Sequence, residues 1–220
     1  MIHGPAELQS QFGDIDIYLF DQLLRGRITP GMRVVDAGCG GGRNLVYLLQ
    51  SGYDVFAADA DAGAVEAVRG LAARHAPSLA PDHFRVEPVE SISFPAGFAD
   101  VVISSAVLHF ARDDDHFDAM LQGTWRLVAR GGFMFCRLAS SIGLVGGVRL
   151  PFADAQGRQP DLGAIGRGLY ILPDGSERYL VDEATLLQKT AELGGALLDP
   201  IKTTVVQNQR CMTTWVVQKR

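Results

Sequence analysis

The chain has 220 residues, 47% of them hydrophobic and 20% charged, with a formal net charge of −5. That length is most simply one domain with a single good core, 1–220, and the acidic balance argues against a sequence-independent grip on DNA or RNA. The longest charge-free apolar run after residue 44, between Arg137 and Arg149, is too short to span a bilayer, and no basic then apolar leader opens the chain. Cys39, Cys136 and Cys211 are far apart, without C-x-x-C or a histidine partner, so they predict buried thiols in a reducing cytoplasm and no metal site.

Residues 6–27 place Ile15, Leu19, Phe20, Leu23 and Leu24 at helical spacing, with Asp14 as N-cap and Gly26 as stop. Thr29-Pro30-Gly31 is a turn. A first strand over Arg33–Asp36 then runs into Gly38-Cys39-Gly40-Gly41-Gly42, and a helix is predicted from about Arg43 to Gln50, closed by Gly52. Strand, glycine turn and helix in that order suit a nucleotide-like ligand, because glycines admit close backbone approach and a helix N-terminus carries partial positive charge. The dinucleotide pattern G-x-G-x-x-G fails at its third position, which is Arg43. Asp36 stands two residues before the first glycine, where a carboxylate repels a diphosphate and attracts an ammonium.

A second strand over Asp54–Ala58 is followed by Asp59, placed to accept hydrogen bonds from two ribose hydroxyls. Asp61 is the expected cap of the next helix, with Val65, Val68, Leu71 and Ala72 inside. A third strand is predicted over Phe84–Val89 and a fourth over Asp100–Ser104. Asp113-Asp114-Asp115 begin a helix whose macrodipole explains them. Ala129-Arg130-Gly131-Gly132 end it, and a fifth strand covers Phe133–Leu138. From 139 to 181 the chain is long, rich in Gly and Pro, and too apolar at Leu144, Val145, Leu150, Phe152, Leu169 and Tyr170 for simple disorder. It reads as a cap on the substrate side. Asp182 caps a helix to Glu192, and two closing strands, Ala196–Val206 and Cys211–Val217, flank a polar turn.

Val35-Asp36-Ala37-Gly38-Cys39-Gly40-Gly41-Gly42 resembles the first motif of the class I S-adenosylmethionine-dependent methyltransferases. Asp100 to His109 resembles the fourth, D-x-V-x-S-x-x-x-L-H. A narrower likeness, to the tellurite-resistance methyltransferases, runs through Gly42-Arg43-Asn44, Tyr47-Leu48 and Gly52-Tyr53-Asp54-Val55. The resemblance implies an α/β, Rossmann-like fold: seven strands, mostly parallel, the last antiparallel, with helices on both faces. It implies S-adenosyl-L-methionine as cofactor, held by Asp36, Ala37, Gly38, Cys39, Gly40, Gly42 and Asn44 around the loop. Asp59 and Ala60, Val89 and Glu90, and Ser104 would complete the set at the ends of the second, third and fourth strands. At the third strand Pro88 occupies the place of the usual acid, leaving Glu90 or the Val89 backbone for adenine. Residues 1–28, with Asp14, Asp16 and Tyr18, would form either a capped helix or a lid over the methionine end.

The implied activity is methyl transfer to a small-molecule acceptor, with no nucleic acid or membrane partner and the oligomeric state left open. His109 is the candidate base, against the plainer reading of a packed histidine, and Tyr18 is a further catalytic candidate. Arg43, Arg137, Arg178 and Arg210 are candidates for a cationic rim, Arg137 first and Arg178 second, because arginine binds oxyanions with two parallel hydrogen bonds. Two other readings stand beside this one: a catalytically silent cofactor- or partner-binding module, and an NAD(P)-dependent reductase on a similar sheet.

Overall fold

The computed structural model describes residues 4–142, 168–172, 175–207 and 210–220. Two short helices come first, α1 (Pro5–Phe12) and α2 (Ile17–Leu24), followed by β1 (Arg33–Ala37), α3 (Val46–Gln50), β2 (Asp54–Asp59), α4 (Ala62–His75) and β3 (Phe84–Val86). Then come β4 (Ala99–Ser105), α5 (Asp114–Leu127), β5 (Val128–Ser140), the pair β6 (Gly168–Ile171) and β7 (Glu177–Leu180), and α6 (Glu183–Glu192). The chain closes with β8 (Gly195–Leu197), β9 (Lys202–Val206) and β10 (Arg210–Lys219). Most of the cap expected over 139–181 lies outside the described residues.

The main sheet has the order β3-β2-β1-β4-β5-β10-β8, with β9 also on β10. The pairings from β3 through β5 are parallel, and β10 runs antiparallel to β5. The expected α/β, mostly parallel sheet is therefore present, with eight strands among the described residues instead of seven. The extra strand arises because the stretch expected as one strand, Ala196–Val206, is two. Pro200 has no N–H to give a ladder, so the chain leaves β10 after Leu198 N donates to Val216 O and rejoins it at Lys202.

Side chains alternate across the sheet, as a strand buried on both faces requires. Val35, Val102, Met134, Cys136 and Trp215 share one core cluster with Phe117 and Leu121 of α5 and Leu186 of α6. Val34, Val101, Ile103, Phe135 and Val216 share the other with Leu19, Leu48, Leu49, Val65 and Val68 from α2, α3 and α4. Helices thus cover both faces.

Three local expectations are corrected. The N-terminal stretch is two helices broken at Gly13, and Asp16, not Asp14, caps the second by accepting from Tyr18 N at 2.9 Å. The third strand stops at Val86, because Pro88 cannot donate and Val89–Ser91 turn into a 3-10 helix. The helix after the glycines starts at Val46, residues 43–45 being turn. Asp61 and Asp182 cap their helices through backbone N–H groups as expected, and Asp113, expected only to favour the helix macrodipole, also caps its helix by accepting from His116 N.

Candidate functional site

The glycine turn leaves the carboxyl end of β1 and crosses those of β2 and β4, where a parallel sheet opens a crevice. Gly38 has φ +83°, and a Cβ there would lie 2.5 Å from Val107 Cγ2, so glycine alone fits between the two loops. A Cβ on Gly40 would meet nothing within 4 Å, since that residue faces open space. The turn's N–H groups are largely spent inside the protein. Gly38 N and Cys39 N both donate to Ala58 O, Gly42 N donates to Cys39 O, and Gly40 N donates to Asp59 Oδ2 at 2.8 Å. Such a turn has few donors left for a diphosphate, which needs several.

Asp36 lies beneath this turn, 1% exposed, and its Oδ1 is buried without a hydrogen-bond partner. Burial pushes its carboxyl up to about 8, with Arg43 opposing the rise and Asp59 adding to it. A buried acceptor in that condition calls for a cation or a donor. Cys39 is also pushed above the usual thiol range by burial.

A cavity of about 510 Å³ opens above. Of the residues expected around a cofactor, Gly38, Cys39, Gly40, Asn44, Asp59, Ala60, Val89 and Glu90 line it. Asp36, Ala37, Gly42 and Ser104 do not. Ala37 and Ser104 are fully buried in their strands, and the wall expected at Ser104 is made by Ser105, Ala106 and Val107 one residue later. Asp59 is committed on both oxygens, Oδ2 to Gly40 N and Oδ1 to Asp61 N, so it braces the turn as well as facing the cavity. Asn44 Oδ1 accepts from Asp16 N at 3.0 Å and so ties the N-terminal helices to the turn.

Gly41, Arg43, Pro88, Phe110, His116 and Met120 also line the cavity, and the last three were not foreseen there. His116 and Met120 arrive because Gly123 lets α5 pack on the Val89–Ser91 turn, where a Cβ would fall 2.4 Å from Val89 O. His116 Nε2 lies 3.4 Å from Glu90 Oε1. Nothing local in the sequence announces this contact.

A second cavity, about 490 Å³, adjoins the first and shares Arg43, Ala106 and Phe110 with it. Ala106 has φ +65°, an uncommon value for a residue with a Cβ, and its N–H donates to Arg137 O at 2.7 Å. Arg137, Arg178 and Arg210 line this second space with His109 and Asp16. The four arginines singled out in the sequence are brought together here. Asp16, which the sequence offered only as part of a cap or lid, is the hub. Its Oδ2 is 2.6 Å from Arg137 Nη1 and 3.7 Å from Arg43 Nη2, and its side chain is 2% exposed. Arg43 Nη2 donates to Ser105 Oγ at 3.0 Å, and Arg178 lies over the Phe110 ring.

Tyr18 lines neither cavity. Its ring packs under the Arg137 guanidinium at 4.9 Å and its hydroxyl bonds Thr204 Oγ1 at 2.7 Å. His109 is buried and its Nδ1 lies 2.9 Å from Ala139 N. A backbone N–H donates, so Nδ1 accepts, and the neutral ring carries its proton on Nε2. Burial, with Arg178 and Arg210 nearby, lowers its pKa to about 4. The candidate base therefore has no free lone pair, and the geometry makes it a packed hydrogen-bond donor.

Residues 35–136 of this chain match the family described as Methyltransferase domain. The chain is 25% identical to a ubiquinone biosynthesis O-methyltransferase of Chelativorans sp. (strain BNC1) over 171 residues, 78% of this chain and 64% of that protein. It is 32% identical to an uncharacterized methyltransferase of Synechocystis sp. over 105 residues, 48% of this chain and 46% of that one. It thus spans less than two thirds of either curated relative. The solved Burkholderia thailandensis 1,6-didemethyltoxoflavin-N1-methyltransferase, with bound 1,6-didemethyltoxoflavin and S-adenosylhomocysteine, superposes with a TM-score of 0.67 at 16% identity. That match covers 97% of this chain and 81% of the other, and it establishes a shared fold. Among the described residues no helix is long and apolar enough to cross a membrane.

Proposed function

We propose that this protein is an S-adenosylmethionine-dependent methyltransferase acting on a small molecule, the larger cavity taking the methyl donor and the adjoining one the acceptor. The observation that carries the reading is the turn on the cavity wall whose N–H groups are already spent, with the buried, unpartnered Asp36 Oδ1 behind that wall. That arrangement favours an ammonium head group and disfavours a diphosphate. Asp59 and Ala60 would face the ribose, and Val89 and Glu90 the adenine. S-adenosylmethionine would supply an electrophilic methyl group on a sulfonium.

The chain's own contribution is placement. Two cavities that share Arg43, Ala106 and Phe110 would hold two molecules in contact, and good orientation lowers a bimolecular barrier by about 7–11 kcal/mol. A general base would add roughly 10²–10⁴-fold, and only for an acceptor that arrives protonated. Asp16, held by Arg137, and His109, with its Nδ1 occupied, are not built for that task.

The matched domain family and the named O- and N-methyltransferases support this reading, and the narrower resemblance to the tellurite-resistance enzymes places selenite and tellurite in the acceptor panel. The three free, buried cysteines suit the reducing cytoplasm we expect for it. Calorimetry with S-adenosylhomocysteine and with NADH tests the donor site. Saturable binding of the first and none of the second is expected, and the reverse would return the reductase reading. Turnover of methyl-labelled S-adenosylmethionine against thiols, phenols, carboxylates, selenite and tellurite then separates an enzyme from a silent binding module.

A further inference from the structure

The end of the larger cavity assigned to adenine is built by two separate elements, the Val89–Ser91 turn and the first turns of α5. Pro88 opens the turn and brings neither an acidic side chain nor an N–H. Two carboxylates line this cavity among the described residues, and one of them, Asp59, is committed on both oxygens to Gly40 N and Asp61 N. The other is Glu90. Its side chain is 32% exposed, and a glutamate that open to water samples several rotamers unless a neighbour holds it.

His116 is that neighbour. Its Nδ1 accepts from Arg112 N at 3.2 Å, so the neutral ring carries its proton on Nε2. Nε2 lies 3.4 Å from Glu90 Oε1. The histidine is itself well anchored, with a side chain 16% exposed and a backbone N that donates to Asp113 Oδ1 at 2.7 Å. The spacing of the two elements is fixed too. A Cβ on Gly123 would fall 2.4 Å from Val89 O and 2.8 Å from Glu90 Cα, so α5 sits directly on the turn. With Oε1 facing the imidazole, Oε2 has no partner among the described residues. A carboxylate only accepts, so it pairs with an exocyclic amine and repels a carbonyl oxygen in the same place. Val89 and Met120 on the same wall are apolar and suit the faces of a flat ring. We infer that His116 is a positioning residue for base selection: by holding the Glu90 carboxylate at the cavity wall, it makes the site prefer a 6-aminopurine to a 6-oxopurine. This rests on the methyl-donor reading of the cavity and adds to it a residue that reaches the base only through Glu90.

The probes are S-adenosylhomocysteine and S-inosylhomocysteine, which carries a carbonyl oxygen in place of the exocyclic amine, titrated calorimetrically into the whole protein. The parent should bind the first about tenfold or more tighter, as a hydrogen bond to a charged acceptor implies. Glu90→Gln, whose amide can turn an N–H toward that oxygen, should bring the ratio to about threefold or less. His116→Leu should lower the ratio similarly, whereas His116→Gln, which keeps an N–H near the place of Nε2, should hold it within about twofold of the parent. A merely structural His116 would shift both ligands together and leave their ratio alone, or would give the Leu and Gln variants the same ratio; either result overturns the inference. If His116→Leu does not fold, nitrogen-resolved NMR of the parent and of Glu90→Gln decides. A His116 Nε2–H signal that moves on the Glu90 substitution supports the coupling, and an unmoved one overturns it. Equal binding of the two compounds by the parent would overturn the inference and leave the methyl-donor reading standing, while binding of neither would remove both.

Discussion

Replacing Asp36 by asparagine keeps the size of the side chain and removes its charge, in a place that is 1% exposed. In the folded chain this carboxyl is raised from an ordinary 3.8 to about 8, chiefly by burial. The gap is roughly four pH units, and at about 1.4 kcal/mol per unit the ionised side chain costs the fold on the order of 5 kcal/mol. The sign follows from proton counts. Between pH 3.8 and about 8 the folded protein keeps a proton that the unfolded chain has released, so stability falls as pH rises through that window and levels off above it. Asp36→Asn should therefore match the parent near pH 4 and exceed it by several kcal/mol at pH 8, read by urea denaturation across that range. The same proton reports on the ligand. An ammonium held in the cavity above the buried Asp36 favours the carboxylate, so S-adenosylhomocysteine binding at pH 7 should release about one proton, measured by calorimetry in buffers of different ionisation enthalpy. The amide of the Asp36→Asn variant has no proton to release and should bind the compound more weakly. A parent that releases no proton, or a variant less stable than the parent at pH 8, would refute the account of Asp36 as a strained, cation-seeking carboxylate.

Other consequences are equally direct. Gly38→Ala places a Cβ 2.5 Å from Val107 Cγ2 at φ +83°; it should cost about 1–3 kcal/mol, and an unchanged thermal midpoint would contradict the packing described. Arg137→Ala strips the buried Asp16 of its closest cation and should destabilise by about 3–5 kcal/mol, with Asp16→Asn restoring part of the loss in the double variant; simple additivity would deny the pairing. His109, lowered to about 4, should show the Nε2–H tautomer by nitrogen-resolved NMR and no titration between pH 5 and 8. Because the unfolded ring takes up its proton near 6.5 and the folded one near 4, His109 contributes stability above pH 6.5 that is lost as pH falls toward 4. A His109 resonance titrating near 6.5 would restore it as a candidate base.

Much of the fold was legible because its signals are local. A strand buried on both faces needs a continuous apolar run, as at Val34-Val35 and Val101-Val102-Ile103. A helix start needs an oxygen side chain, as at Asp61, Asp113 and Asp182. Errors came where one residue's missing N–H changed the pairing, at Pro88 and Pro200, and where two acids competed for one cap, at Asp14 and Asp16. The candidate site was legible in part for the same reason. The glycine turn and the acid at the end of β2 are set by short-range spacing, so Gly38, Gly40 and Asp59, which line the larger cavity, could be named.

What the sequence by itself determined is the strand–turn–helix unit and the types of residue delivered to the sheet's carboxyl edge, since spacing along one strand decides which side chains arrive there. What only the tertiary structure decided is which of them share a space and in what protonation state. Ser105 in place of Ser104 on the wall, Asp16 between Arg137 and Arg43, and the occupied Nδ1 of His109 all depend on distant partners, 121 positions away for Asp16 and Arg137 and 30 for His109 and Ala139. Contacts over such separations are set by how helices and strands dock, and docking follows the burial of whole faces, which no local pattern encodes.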